Sequence, residues 1–205
     1  MMNEYLTFSL TVFLSFFAVM NPIANTPIFL GVVEGKSKKE IKHIAKKSTL
    51  TAFIIVVVFV IAGKYIFQLF GITIPAFKIT GGVLLFYVGF EMLMSKKSKI
   101  HNNDTEESSD SIAISPLAIP ILAGPGTIVT AMNQVTDAGY DKIAIVCIVF
   151  GVMILLTYLA FILSDRILEK LGANLIAVVG KIMGLILAII GTDMLVAGVK
   201  LAFDL

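Results

Sequence analysis

Long apolar runs alternate with short polar stretches along this chain, and the runs are too long for strands. Six stand out, at residues 5–31, 48–70, 72–94, 112–134, 142–163 and 174–199. Each is roughly the length of helix that crosses a hydrocarbon core, about 20 residues. None alternates residue by residue, so a β-barrel is not expected. A backbone in hydrocarbon must satisfy its own hydrogen bonds, which makes each run a helix. Residues 95–111, rich in lysine, serine and acids and nearly without apolar groups, read as a flexible cytoplasmic linker. The expected organisation is a three-helix unit over 1–94, the linker, and a second three-helix unit over 112–205.

Composition supports a bilayer rather than water as the solvent. Apolar residues make up 58% of the 205 and charged residues 15%, with a mean hydropathy of +0.96. Soluble domains are nearer half apolar and about one-quarter charged, and a chain this short cannot bury such an excess within itself. A water-soluble enzyme, a secreted disulfide scaffold and a nucleic-acid binder are thereby excluded. The net charge of +2 is too small to imply a polyanionic partner. The single cysteine, Cys147, cannot form an intrachain disulfide. The first run follows no positive charge and continues past any plausible cleavage point, so it is expected to span rather than to be removed as a signal peptide.

The basic residues set direction. Lys36, Lys38, Lys39, Lys42, Lys46 and Lys47 follow the first span. Lys96, Lys97 and Lys99 follow the third, and Arg166 and Lys170 the fifth; together these are eleven of the 16 basic residues. By the positive-inside bias these three connections are cytoplasmic and both termini face outward.

The halves resemble each other. Gly82, Gly89, Glu91, Met92 and Leu93 recur as Gly184, Gly191, Asp193, Met194 and Leu195 at one offset of 102. Asn21-Pro22-Ile23-Ala24 likewise resembles Ser115-Pro116-Leu117-Ala118. Three spans per unit would make the second copy enter the membrane from the opposite side. The expected fold is therefore an all-α polytopic membrane protein, six transmembrane helices in a 3+3 inverted-topology repeat, with helices one and four broken.

Five of the six prolines lie in those two spans, at positions 22, 27, 116, 120 and 125. Each lacks an N–H and clashes with the carbonyl four residues back, which is expected to free the carbonyls of Ala18, Ile23, Ile112, Pro116 and Ile121. Beyond each break a new half-helix would start with unpaired amides. Freed carbonyls suit an ammonium group and helix-start amides suit a carboxylate, which is the outline of an amino acid. The candidate substrate-binding residues are Asn21, Pro22, Asn25, Thr26 and Pro27 in the first span. In the fourth they are Pro120, Gly124, Pro125, Gly126 and Thr127. Prolines that merely kink, with asparagines holding neighbouring helices together, are the competing reading.

The stretches NPIANTPIF (21–29) and PLAIPILAGPGTI (116–128), in a six-span chain of this length, resemble the MarC family across essentially the whole chain. The resemblance implies a bacterial or archaeal inner-membrane protein. It also implies a carrier, since some members are described as transporters of small neutral amino acids such as alanine and glycine. The family is grouped more loosely with LysE-type exporters. Many members have Asp-Pro where this chain has Asn21-Pro22, so this chain has no charge there for ion coupling.

Ionisable groups within spans are functional candidates. Lys78 falls on the face of span three that carries Gly82 and Gly89, whereas Glu91 and Asp193 point away from the glycines. Glu91, Asp193 and Lys78 are the candidate coupling groups. Gly180, Gly184, Gly191 and Gly198 form one stripe on span six, suited to close helix packing. His43 and His101 have no ligating neighbours in sequence, so no metal is expected, nor any other cofactor. No P-loop is present, and no serine–histidine or paired-acid arrangement lies at depth, so enzymatic activity is not expected. The reading is a secondary transporter moving a small neutral amino acid or similar metabolite by alternating access. Its partners would be the substrate, the bilayer and a coupling ion, sodium or proton; association with further copies of the chain is compatible with it. The alternative is an ion or metal-ion pathway over the freed carbonyls and in-span acids.

Overall fold

The computed structural model describes residues 2–94, 113–136 and 138–204; the expected linker at 95–111 lies outside them. The described residues are helical, with no strand among them. In chain order they form α1 (Met2–Met20), α2 (Thr26–Val32), α3 (Lys38–Phe70), α4 (Ile74–Met94) and a π-helical segment (Ala113–Leu122). Then follow α5 (Pro125–Val135), α6 (Tyr140–Ile162) and α7 (Ser164–Phe203).

Four of these helices, α3, α4, α6 and α7, are long and apolar enough to cross a membrane. The first and fourth apolar runs are each divided in two, α1–α2 and π-segment–α5, and none of the pieces meets that length. The apolar part of α1, Glu4–Met20, is the nearest.

Two connections expected as polar loops are helical instead. The lysine-rich stretch belongs to α3 from Lys38 onward, because Ser37 and Glu40 form a capping box. The Ser37 hydroxyl accepts from the Glu40 N–H at 3.4 Å, and the Glu40 carboxylate accepts from the Ser37 N–H at 2.9 Å. At its far end α3 closes on Gly71, whose φ of +63 admits the left-handed turn. There Gly71 N–H donates to Gln68 and Ile72 N–H to Phe67, 2.9 Å away. The second connection, carrying Arg166 and Lys170, is the opening of α7, which bends at Gly172, φ +72.

The core joins α1, α2, α3, the π-segment and α6. Phe16 packs on Phe150 with ring centroids 4.9 Å apart, and Phe29 stacks on Phe161 at 4.3 Å. Helices α4 and α7 form a separate antiparallel pair, touching the rest through Leu85, Val129 and Met194. Their contact is backbone against backbone. A Cβ on Gly82 would sit 2.6 Å from the Gly191 carbonyl, and one on Gly89 would sit 2.5 Å from that of Gly184. A Cβ on Gly198 would meet the Ile79 amide at 2.8 Å. Large side chains face outward in helical rows, such as Leu50, Ile54, Val58 and Ile61 on α3 and Ile148, Val152, Leu155 and Leu159 on α6. Water would not tolerate such rows, whereas lipid does.

Candidate functional site at two helix interruptions

At the first interruption, α1 ends where Pro22 denies the helix its next donor. Asn21 turns the chain with φ +36, a backbone region that asparagine tolerates better than most residues. Side chains then replace the lost ladder. The Asn21 Oδ1 accepts from the Ala24 N–H at 3.2 Å. The Asn25 Nδ2 donates to the Met20 carbonyl at 2.7 Å. The Thr26 hydroxyl donates to the Ile23 carbonyl at 2.7 Å, and the Thr26 N–H donates to that same oxygen at 3.2 Å.

These bonds correct one expectation. The Ile23 carbonyl is not free, because Thr26 occupies it twice. The Asn25 amide nitrogen spends one of its two N–H groups on the Met20 carbonyl, which caps α1. The Asn21 Nδ2 is buried and has no partner among the described residues, in a residue only 2% exposed. The bond from Ala24 fixes which end of that amide is oxygen, so the orphan is a donor.

The second interruption uses backbone. Pro116 and Pro120 lie four apart and both lack an N–H, so the α-helical ladder loses two bonds in succession. The coil widens into a π-helix, which ends with the Ala123 N–H donating to the Ala118 carbonyl, five residues back, at 2.8 Å. Gly124 is extended (φ −70, ψ 169) and α5 restarts at Pro125. The Gly126 and Thr127 amides, in the first turn of α5, point past its end. Thr127 and Thr130 are buried, at 1% and 4% exposure, and the Thr130 hydroxyl has no partner among the described residues.

The two interruptions are neighbours. A Cβ on Gly126 would lie 3.1 Å from Val19, two residues before Asn21, and 3.5 Å from Leu85 of α4. The Ala24 methyl lies 3.5 Å from where a Gly180 Cβ would stand on α7. The broken stretch of each half thus packs against the glycine-bearing helix of the other half. Farther along, the Gln134 amide donates to the Ser15 hydroxyl at 3.4 Å, tying α5 to α1.

Of the other candidates, Pro22 and Thr26 are buried and Pro27 is half-buried, while Gly124 is buried. Pro120 lies in the π-segment and Pro125 opens α5. Glu91 and Asp193 are on the exposed sides of α4 and α7. Glu91 accepts from the Tyr87 hydroxyl at 2.9 Å. Lys78 is half-buried, its Cβ 3.0 Å from where one on Gly198 would be. Thr130 was not among the sequence candidates. It lies three residues after Thr127, on the same face of α5, and that spacing was the available signal.

The helices and their outward apolar rows define the class: an integral membrane protein. The chain belongs to the MarC family, whose model, described as MarC family integral membrane protein, matches residues 6–203. It is 40% identical over 200 residues to the UPF0056 membrane protein YvbG of Bacillus subtilis, covering 95% of each chain. It is 40% identical over 190 residues to the UPF0056 membrane protein PH0760 of Pyrococcus horikoshii, covering 92% of each. A UPF0056 membrane protein of Aquifex aeolicus is 35% identical, over 97% of this chain and 95% of that one. No solved structure matches the chain.

Proposed function

We propose that the chain is a secondary carrier for a small neutral amino acid, of alanine or glycine size, working by alternating access in a prokaryotic cytoplasmic membrane. Six membrane crossings are inferred, two of them interrupted, in a 3+3 inverted repeat with both termini outside. The observation that carries this reading is the pair of adjoining interruptions, with a buried Asn21 donor at one and a buried Thr130 hydroxyl in the second turn of the helix that follows the other, neither with a partner among the described residues. A buried donor without a partner costs about 1–3 kcal/mol. A ligand carboxylate or carbonyl would offset that cost. Inverted repeats place their sites where broken helices meet near the midplane.

The glycine contacts support the repeat. The offset of 102 maps Gly82 onto Gly184 and Gly89 onto Gly191. The contacts run crosswise, Gly82 to Gly191 and Gly89 to Gly184. A twofold relation between halves produces that reciprocity, as in an isologous interface. The α4–α7 pair would then be the axis about which the halves rock. The ion-pathway alternative has less support, because the Ile23 carbonyl is engaged and Glu91 and Asp193 lie on the exposed sides of α4 and α7.

Counterflow in proteoliposomes tests the carrier reading: internal unlabelled alanine should accelerate uptake of labelled alanine. Uptake unaffected by internal substrate would refute it. Orientation is tested separately, in a Cys147→Ser background. Cysteine at 139 should react with an impermeant thiol reagent in intact cells, and cysteine at 38 should not.

A further inference from the structure

A hollow lies between the lysine-bearing end of α3 and the end of α6, with a volume of about 410 Å³. Lys42 and Lys46, one turn apart and both exposed, stand at its polar end. Tyr158 on α6 lies at the same level. Among the described residues no hydrogen bond or ion pair engages either ammonium group; only the Lys46 carbonyl is used, accepting from the Thr49 hydroxyl at 3.1 Å. Below them the wall turns apolar, with Leu50 and Leu155 each at least half exposed. The floor opens at Gly151, where a Cβ would make only ordinary contact, 3.6 Å, with the Phe53 ring. From Lys42 to the level of Phe53 is about 16 Å along the helix. The hollow is therefore long, cationic at one end and oily at the other.

We propose that this groove between α3 and α6 seats one anionic phospholipid. Its phosphate would lie between Lys42 and Lys46, and an acyl chain would run over Leu50, Leu155 and the gap left by Gly151. The charge is complementary to a phosphate diester, and basic hollows between membrane helices on the lysine-rich side bind such headgroups. The apolar continuation argues for a lipid rather than a free anion, because a soluble phosphate would leave Leu50 and Leu155 uncovered. Lipid seated here would bridge α3 to α6 at the end of the core that faces the lysine-rich side. This assignment is independent of what the interruptions bind.

The test uses the full chain in neutral detergent, titrated with phosphatidylglycerol, with phosphatidylcholine of the same acyl chains, and with glycerol 3-phosphate, read by native mass spectrometry and thermal shift. Phosphatidylglycerol should bind at least 10-fold more tightly than phosphatidylcholine, and glycerol 3-phosphate should not bind over the same range. K42Q/K46Q should weaken phosphatidylglycerol roughly 30-fold, the combined effect of two lysines near an anionic group. K42R/K46R should retain binding. G151L, which fills the hollow without removing charge, should weaken both lipids. Equal binding of the two lipids overturns the proposal. So does an equal loss in a K170Q/K200Q control, or binding of glycerol 3-phosphate as tight as that of the lipid.

Discussion

At the first interruption, side chains stand in for missing backbone bonds; at the second, the backbone changes its own pitch. Asn21, Asn25 and Thr26 each make a local bond across residues 20–26. The second stretch has prolines and glycines instead, and it closes by a five-residue turn from Ala123 to Ala118. The difference teaches where to look for ligand chemistry. Where side chains cap the break, several polar atoms are already occupied, and the buried Asn21 Nδ2 is one that has no partner among the described residues. Where backbone absorbs the break, the helix that follows keeps its first amides, and its Thr130 hydroxyl, for other partners. A donor-poor, self-capped side faces a side with amides to spare.

Both breaks pack against the glycine-bearing pair α4–α7, the second on Leu85 and the first on Gly180. Gly191→Leu should therefore have the largest effect of any single change. Its Cβ would collide with the Phe86 amide and the Gly82 carbonyl, both backbone, which cannot step aside. The cost should exceed the roughly 1–3 kcal/mol usual for overpacking. The expected outcome is loss of monodisperse protein in detergent, checked by size-exclusion chromatography. Normal yield and melting temperature would mean that the pair separates without harm and does not act as an axis.

On the proposed reading the first interruption divides into a site residue, Asn21, and a cap, Asn25. Asn21→Gly keeps the left-handed turn but removes the unpartnered donor. Alanine exchange should fall about 5- to 150-fold, the equivalent of about 1–3 kcal/mol, with a smaller loss of melting temperature from the lost Ala24 bond. Asn25→Leu should do the reverse. It strips the cap from the Met20 carbonyl and should lower stability by about 1–3 kcal/mol, while affinity in the remaining folded protein stays near normal. Exchange and melting temperature measured on both variants check this crossing. If Asn25→Leu were the one that abolished exchange in a well-folded protein, the two asparagines would have to trade places.

Much of this was legible in the residues, for chemical reasons. Proline cannot donate, so the interruptions fall among the prolines. Glycine stripes at a sevenfold spacing permit backbone contact, and α4 and α7 meet along them. The start of α3 was legible too, in Ser37 and Glu40, but a run of lysines reads as loop unless that cap is weighed. The division of labour between Asn21 and Asn25 was not legible. Both are amides at the same depth, and which one caps depends on a left-handed turn that local preference only permits. Nor does proline spacing alone dictate a π-helix, since a kinked α-helix satisfies the same missing donors. Thr130 was hidden for a further reason: its significance lies in having no partner, which only the packing around it reveals.

The smallest expected effect is the sharpest in sign. Thr130→Val is nearly isosteric and leaves α5 free to pack as before, but it deletes a buried hydroxyl that nothing among the described residues satisfies. If the hydroxyl is only a packing feature, its removal relieves an unsatisfied group. Stability should then rise by about 1 kcal/mol, with no change in exchange. If it belongs to the site, the same gain in melting temperature should come with a loss of substrate affinity, several-fold rather than a hundredfold, since one neutral hydrogen bond contributes about 0.5–1.5 kcal/mol. Stabilisation coupled to weaker exchange is the signature of a polar group retained for a ligand at the fold's expense. Thr127→Val serves as the companion measurement, because its hydroxyl lies one turn nearer the interruption. A Thr130→Val protein that is more stable and exchanges alanine as before would remove the second interruption from the site and leave Asn21 to account for it alone.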